Sequence, residues 1–120
     1  MKQSVFNKLL CCVLAVLMLA ASAAGLAEGG QAVILFTTDI HCNVSEGIGY
    51  AGVAGLKKAL AQEGNDVVLI DAGDAIQGTA LGTLSEGEYI IDIMNAAEYD
   101  LAVPGNHEFD YGLDRFFELA

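Results

Sequence analysis

The sequence predicts an α/β chain built on a parallel β-sheet, and three observations carry that prediction. Short apolar runs begin at residues 32, 66 and 101, the spacing of consecutive strand–helix–strand units, each of which takes about 30 or more residues. The first two, Ala32 to Thr37 and Asp66 to Asp71, are continuous aliphatic and β-branched stretches without alternation, the pattern of strands buried on both faces of a sheet. Segments with helical periodicity fill both gaps.

Composition agrees with a folded chain. Its 120 residues are 54% hydrophobic and 18% charged, with five Lys+Arg against sixteen Asp+Glu and a formal net charge of −11. The wealth of Val, Ile and Leu excludes a disordered acidic tail. One Pro and fourteen Gly fit neither collagen nor a Pro-rich linker. The carboxylate excess argues against a polyanion bound through a basic surface, so no nucleic-acid partner is expected.

In chain order, residues 1–27 read as a secretory signal peptide and residues 28–120 as the folded part. Lys2 and Lys8 precede an unbroken apolar stretch from Leu9 to Ala20, and the small residues around Ala23, Ala24 and Ala27 suit a signal peptidase. The competing reading is an uncleaved anchor, but Leu9 to Ala24 spans 16 residues, short of the roughly 20 needed to cross a bilayer. No stable membrane span is expected after cleavage, and the location is exported: periplasmic, extracellular or cell-surface. Cys11 and Cys12 leave with the leader. The remainder keeps three basic residues against sixteen acidic ones, a net of −13, and one cysteine, Cys42. No internal disulfide is then available, so stability must come from packing or metal.

Ala32 to Thr37 is the first expected strand. Val53 to Glu63 follows as a helix with Val53, Leu56 and Leu60 on one face, stopped by Gly64-Asn65. Asp66 to Asp71 is the second strand, and Glu88 to Glu98 is a helix that groups Ile90, Ile91 and Met94. Leu101 to Pro104 is the third strand, and Leu113 to Ala120 reads as the start of a last helix.

In parallel α/β sheets, ligands bind where loops leave the carboxyl ends of the strands. All three exits here carry acid/base or metal-ligating side chains. After the first strand, Asp39 and His41 flank Ile40, and in an extended segment such residues point the same way and grip one ion. The competing reading is an Asp that caps the next turn and a His packed on the surface. After the second, Asp74 follows Gly73, and a carboxylate held there by a tight turn can bridge two metals; a plain Asx-turn is the alternative. After the third, Asn106 offers a neutral oxygen ligand, or else a left-handed turn. His107 beside it is free to act on substrate, and Asp110 can accept from the second ring nitrogen of His107 and fix its tautomer.

Ala32 to His41 (AVILFTTDIH), Val68 to Thr79 (VLIDAGDAIQGT) and Val103 to Asp110 (VPGNHEFD) resemble the first three motifs of the calcineurin-like metallophosphoesterases. More narrowly, they resemble the exported bacterial 5'-nucleotidase family, which includes UDP-sugar hydrolases and 2',3'-cyclic-nucleotide phosphodiesterases. The Gln77-Gly78-Thr79 extension and the Gly105 to Asp110 string carry the narrower match. Phe36 and Thr38 stand where many members have His and Asn, and Cys42 where Gly is common; Cys42 is read as a small buried thiol rather than a ligand.

The resemblance implies the N-terminal part of a four-layer α/β/β/α domain that binds two divalent metal ions (Mn, Zn, Mg, Co or Ca) and hydrolyses small-molecule phosphate esters, most naturally nucleotides, with a metal-activated water. By motif position, Asp39 and His41 would hold the first metal, Asp74 would bridge both and Asn106 would hold the second. His107, supported by Asp110, would meet the phosphate and assist the leaving group. The family's remaining ligands are later histidines, whereas His41 and His107 are the two histidines here. The chain is therefore expected to be an N-terminal portion without activity of its own. Two alternatives stand beside this: another two-metal hydrolase with the same opening, such as a phosphodiesterase or thiosulfate-ester hydrolase, and a non-catalytic exported metal-binding α/β module.

Overall fold

Strand β1 (Ala32–Thr37) and strand β2 (Asp66–Asp71) pair in parallel, residue for residue from Ala32 opposite Asp66 to Thr37 opposite Asp71. Both strands keep the bounds expected from their apolar runs. The computed structural model describes residues 30–120; the expected signal peptide, residues 1–27, lies outside the described residues. Strand β3 is two residues, Leu101–Ala102, parallel to β2 in a sheet of order β1-β2-β3. The amide of Val103 still donates to Asp71 O at 2.9 Å, but the next donor of β2, Gly73 N, turns to Asp71 Oδ1, so the pairing stops and β3 ends short of the expected residue 104.

Between β1 and β2 runs helix α1 (Gly49–Gln62), which starts four residues before the expected Val53. It buries Tyr50 and Val53, one turn apart, while Leu56 stays exposed, contrary to the expected face. Its end follows the sequence reading: Gly64 takes φ +90 and Asn65 donates from backbone and side chain to Leu60 O. Helix α2 (Ala80–Ser85) was not expected from the sequence; six residues are too few for periodicity to register. Glu86 and Gly87, both at positive φ, turn the chain into helix α3 (Glu88–Ala96), which ends two residues before the expected Glu98 and buries Ile90 and Met94. Helix α4 (Leu113–Leu119) follows Gly112.

The core lies on one side of the sheet. Cys42, Tyr50, Ala75, Ile76, Ile90, Met94 and Ala97 form one buried cluster, and Leu69 is fully buried. Cys42 is thus a buried thiol, as expected. One face of the strands is open: Ile34 and Phe36 are 67% and 71% exposed, and Val68, opposite Ile34, shares that face. A continuous apolar run says that both faces are apolar; among the described residues, a layer covers only one. Arg115 ties α4 back to the α2–α3 corner through the carbonyls of Ser85 and Glu86 and the Glu88 carboxylate.

Candidate metal centre

The three strand exits meet. Beyond the last paired residues of β1 and β2 the chains stay side by side: Asp39 N donates to Gly73 O, His41 N to Asp74 O and Cys42 N to Ala75 O, at 3.0, 2.9 and 2.9 Å. This extension sets His41 beside Asp74. The first exit is nevertheless not extended, as the sequence reading assumed: Asp39, His41 and Cys42 take φ +54, +49 and +61.

His41 is half-buried, and its Nδ1 lies 3.1 Å from Gln77 O. A carbonyl only accepts, so Nδ1 carries the proton and Nε2 keeps its lone pair for an ion. Its ring stands edge-on to that of His107, with centroids 5.1 Å apart. Asp74 takes φ +59, and its Oδ1 accepts from His107 N at 2.8 Å. That bond joins two exits, so Asp74 is not a local Asx-turn; the turn of that kind is made by Asp71, whose Oδ1 accepts from Gly73 N at 2.9 Å.

One ligand atom each from His41, Asp74 and His107 lies within 4.8 Å of the others. Asp39 is outside this group; it is exposed and accepts from Thr38 Oγ1 at 2.6 Å. Asn106 is exposed and starts the 3-10 turn His107–Phe109 with φ −75, which excludes the left-handed alternative. Asp110 Oδ2 lies 2.7 Å from His107 Nδ1, the contact expected from their spacing. That hydrogen bond holds the His107 imidazole above the usual histidine range, with the charge of Asp110 adding to it.

Two acidic groups that sequence reasoning passed over shape the exits. Asp71 is 1% exposed and accepts from Thr37 Oγ1 at 2.6 Å; the hydroxyl of Tyr99 stands 3.0 Å from the same Thr37 oxygen. Burial pushes the Asp71 carboxyl up, partly offset by the Thr37 hydroxyl and the Gly73 amide. Glu108 is buried among backbone amides of the second and third exits. Neither had a sequence signal, because burial of a carboxylate depends on donors distant in the chain. The steric reason for Gly105 is visible only in the structure: a methyl group there would lie 2.8 Å from Asp74 Cγ.

Residues 32–119 match the calcineurin-like phosphoesterase family. The chain is 36% identical over 103 residues to the trifunctional nucleotide phosphoesterase YfkN of Bacillus subtilis, covering 68% of this chain and 7% of that protein. It is 37% identical over 99 residues to a 2',3'-cyclic-nucleotide 2'-phosphodiesterase/3'-nucleotidase of Yersinia enterocolitica (68% and 15%), and 38% over 93 residues to a snake venom 5'-nucleotidase of Crotalus adamanteus (67% and 16%). The chain thus spans less than a fifth of the length of these relatives. The crystal structure of the calcineurin-like phosphoesterase YfkN superposes with a TM-score of 0.60 at 34% identity, covering 72% of this chain and 32% of that one. With the family match spanning most of the chain and the parallel sheet matching that fold, the chain belongs to the calcineurin-like phosphoesterase family.

Proposed function

We propose that the chain carries metal-holding elements of an exported, metal-dependent hydrolase of nucleotide phosphoesters. The observation that supports this reading most directly is the meeting of His41, Asp74 and His107 from three separate strand exits. The Asp74 carboxylate and the His41 imidazole, its tautomer set by Gln77 O, suit a divalent cation such as Mn²⁺, Zn²⁺ or Co²⁺, and His107 stands beside them, where it would meet the phosphate. In this reading two cations would be held, the first by Asp39 and His41, the second by Asn106, and both by Asp74.

Bound divalent cations supply Lewis-acid polarisation of phosphoryl oxygens and acidify water. The residues supply orientation and proton movement. Asp110 accepts from His107 Nδ1 and leaves Nε2 as the free ring nitrogen. The raised pKa of His107 enlarges its protonated fraction near neutral pH, the form that donates a proton to a leaving oxygen. A simple oxygen-ligated cation site has no need of such a histidine–carboxylate pair. Nucleotides are the substrate class because the relatives are named for nucleotide hydrolysis.

Residues 1–27 act as the export signal in this proposal, and residues 28–120 belong to the catalytic domain. No helix among the described residues is long and apolar enough to cross a membrane. With His41 and His107 as its two histidines, the chain is expected to bind cations without turnover on its own. Calorimetric titration of the purified chain with Mn²⁺, beside a chromogenic phosphate-ester assay, tests this. Saturable binding lost in Asp74→Ala is expected; no binding, or unchanged binding in Asp74→Ala, refutes the reading.

A further inference from the structure

We propose that Glu108 is a positioning residue for the metal centre: its carboxylate clamps the β2 exit to the β3 exit and holds Asp74 against His107. This rests on the metal-site reading above. Glu108 is only 9% exposed, and a buried carboxylate is tolerated when its oxygens are satisfied. Oε2 accepts from Asp74 N at 2.8 Å and Gly105 N at 2.6 Å, while Oε1 accepts from Ala75 N at 2.7 Å and Ile76 N at 3.4 Å. Every one of these partners is a backbone amide at a strand exit. Glu108 lies outside the His41–Asp74–His107 donor group, so it serves the backbone and not the ion.

The clamp is reciprocal. Glu108, on the third exit, grips the backbone of the second; Asp74, on the second, accepts from His107 N on the third. Asp74 sits at φ +59, a conformation that non-glycine residues disfavour, and three successive amides of its bend converge on Glu108. The carbonyls of this bend are held by Asp39 N, His41 N and Cys42 N, but its amides are held by Glu108, so losing that carboxylate frees one side of the bend and loosens the Asp74 side chain. Glu108 also follows His107 directly, so the clamp ties the segment carrying His107 to the bend carrying Asp74.

Mn²⁺ titration of the full chain tests the proposal. Glu108→Gln keeps the shape but turns an NH₂ toward amide donors, and its Mn²⁺ affinity is expected to fall about 10- to 100-fold, the range for groups that orient metal ligands. Lys57→Met breaks the Lys57–Asp100 ion pair ahead of β3 and is expected to leave affinity unchanged. Equal losses in the two variants would mean general destabilisation and overturn the proposal. Wild-type affinity in Glu108→Gln, with binding lost in Asp74→Ala, overturns the role of Glu108 and spares the metal site. Unchanged binding in Asp74→Ala overturns both. Should Glu108→Gln not fold, amide exchange on the unsubstituted chain decides: the Asp74, Ala75 and Gly105 amides are expected to exchange as slowly as Leu69 in β2, and exchange at exposed-loop rates overturns the clamp.

Discussion

Replacing Gly105 with alanine separates damage to the site from damage to the fold. A Cβ at Gly105 would lie 2.8 Å from Asp74 Cγ and 2.8 Å from Asp74 N, and closer still to Asp74 Oδ1. Ordinary contact begins near 3.4 Å, so the carboxylate must retreat by roughly 0.6 Å or more, given usual non-bonded separations. Rotating the Asp74 side chain does not relieve the clash, because the Asp74 backbone nitrogen is equally close. Overpacking of this kind costs about 1–3 kcal/mol, and losing the Asp74 Oδ1 to His107 N bond adds about 0.5–1.5 kcal/mol. The displaced carboxylate should weaken Mn²⁺ binding about 10- to 100-fold. Gly55→Ala is the control: it lies inside α1 with open space around its new methyl, and should gain about 0.5–1 kcal/mol of stability without altering binding. Calorimetry and thermal unfolding on both variants read the two effects. Wild-type Mn²⁺ affinity in a folded Gly105→Ala chain would show that the Asp74 position does not govern the site.

Three further outcomes follow from the packing and charges. Ile90 is fully buried in the core cluster, so Ile90→Ala should lose about 2–5 kcal/mol in urea unfolding; a loss under 1 kcal/mol would place the core elsewhere. Asp110→Asn removes the main cause of the raised His107 pKa, so an NMR titration without added metal should move it down toward the ordinary histidine value. The stability contributed by this pair is present below that ordinary value and lost as pH rises through the higher folded one; an unmoved titration would contradict the pairing. Thr37→Val leaves Asp71 Oδ2 and the Tyr99 hydroxyl without their shared partner, costing about 1–3 kcal/mol. Asp71 already has a raised pKa, so its ionisation opposes folding as pH rises above the ordinary carboxyl range. The penalty of Thr37→Val should therefore be larger at pH 7 than at pH 4, and equal penalties would refute the buried-carboxylate account.

The two longer strands were legible because their apolar runs stop at Thr37 and Asp71, where the chain leaves the sheet. The start of α1 was hidden by its glycine-rich first turn, Gly49 to Gly52, and α2 by its length. An apolar run marks both faces of a strand as apolar but carries no information about which layers cover it, hence the open face of Ile34 and Phe36. At the site, His41, Asp74, His107 and Asp110 were visible as residue types placed just past strands. Their backbone conformations were not. Nothing in the string Asp39-Ile40-His41-Cys42 announces three left-handed residues, because those angles are imposed by hydrogen bonds to Gly73, Asp74 and Ala75, more than thirty positions away.

That imposed geometry explains why the donors converge. Of the six non-glycine residues at positive φ among the described residues, Asp39, His41, Cys42 and Asp74 belong to the first two exits, and each such residue costs on the order of 1–3 kcal/mol. Strain of that size persists only where surrounding bonds over-determine it. Here the bonds are explicit: the extension of the β1–β2 pairing holds the first exit, Glu108 holds the bend at Asp74, and Gln77 O holds the His41 ring. A relaxed, extended exit would alternate its side chains across the sheet and carry His41 and Asp74 past one another. The left-handed bends stop that divergence and turn both donors toward His107, so the parallel sheet supplies the register and the strained exits supply the aim.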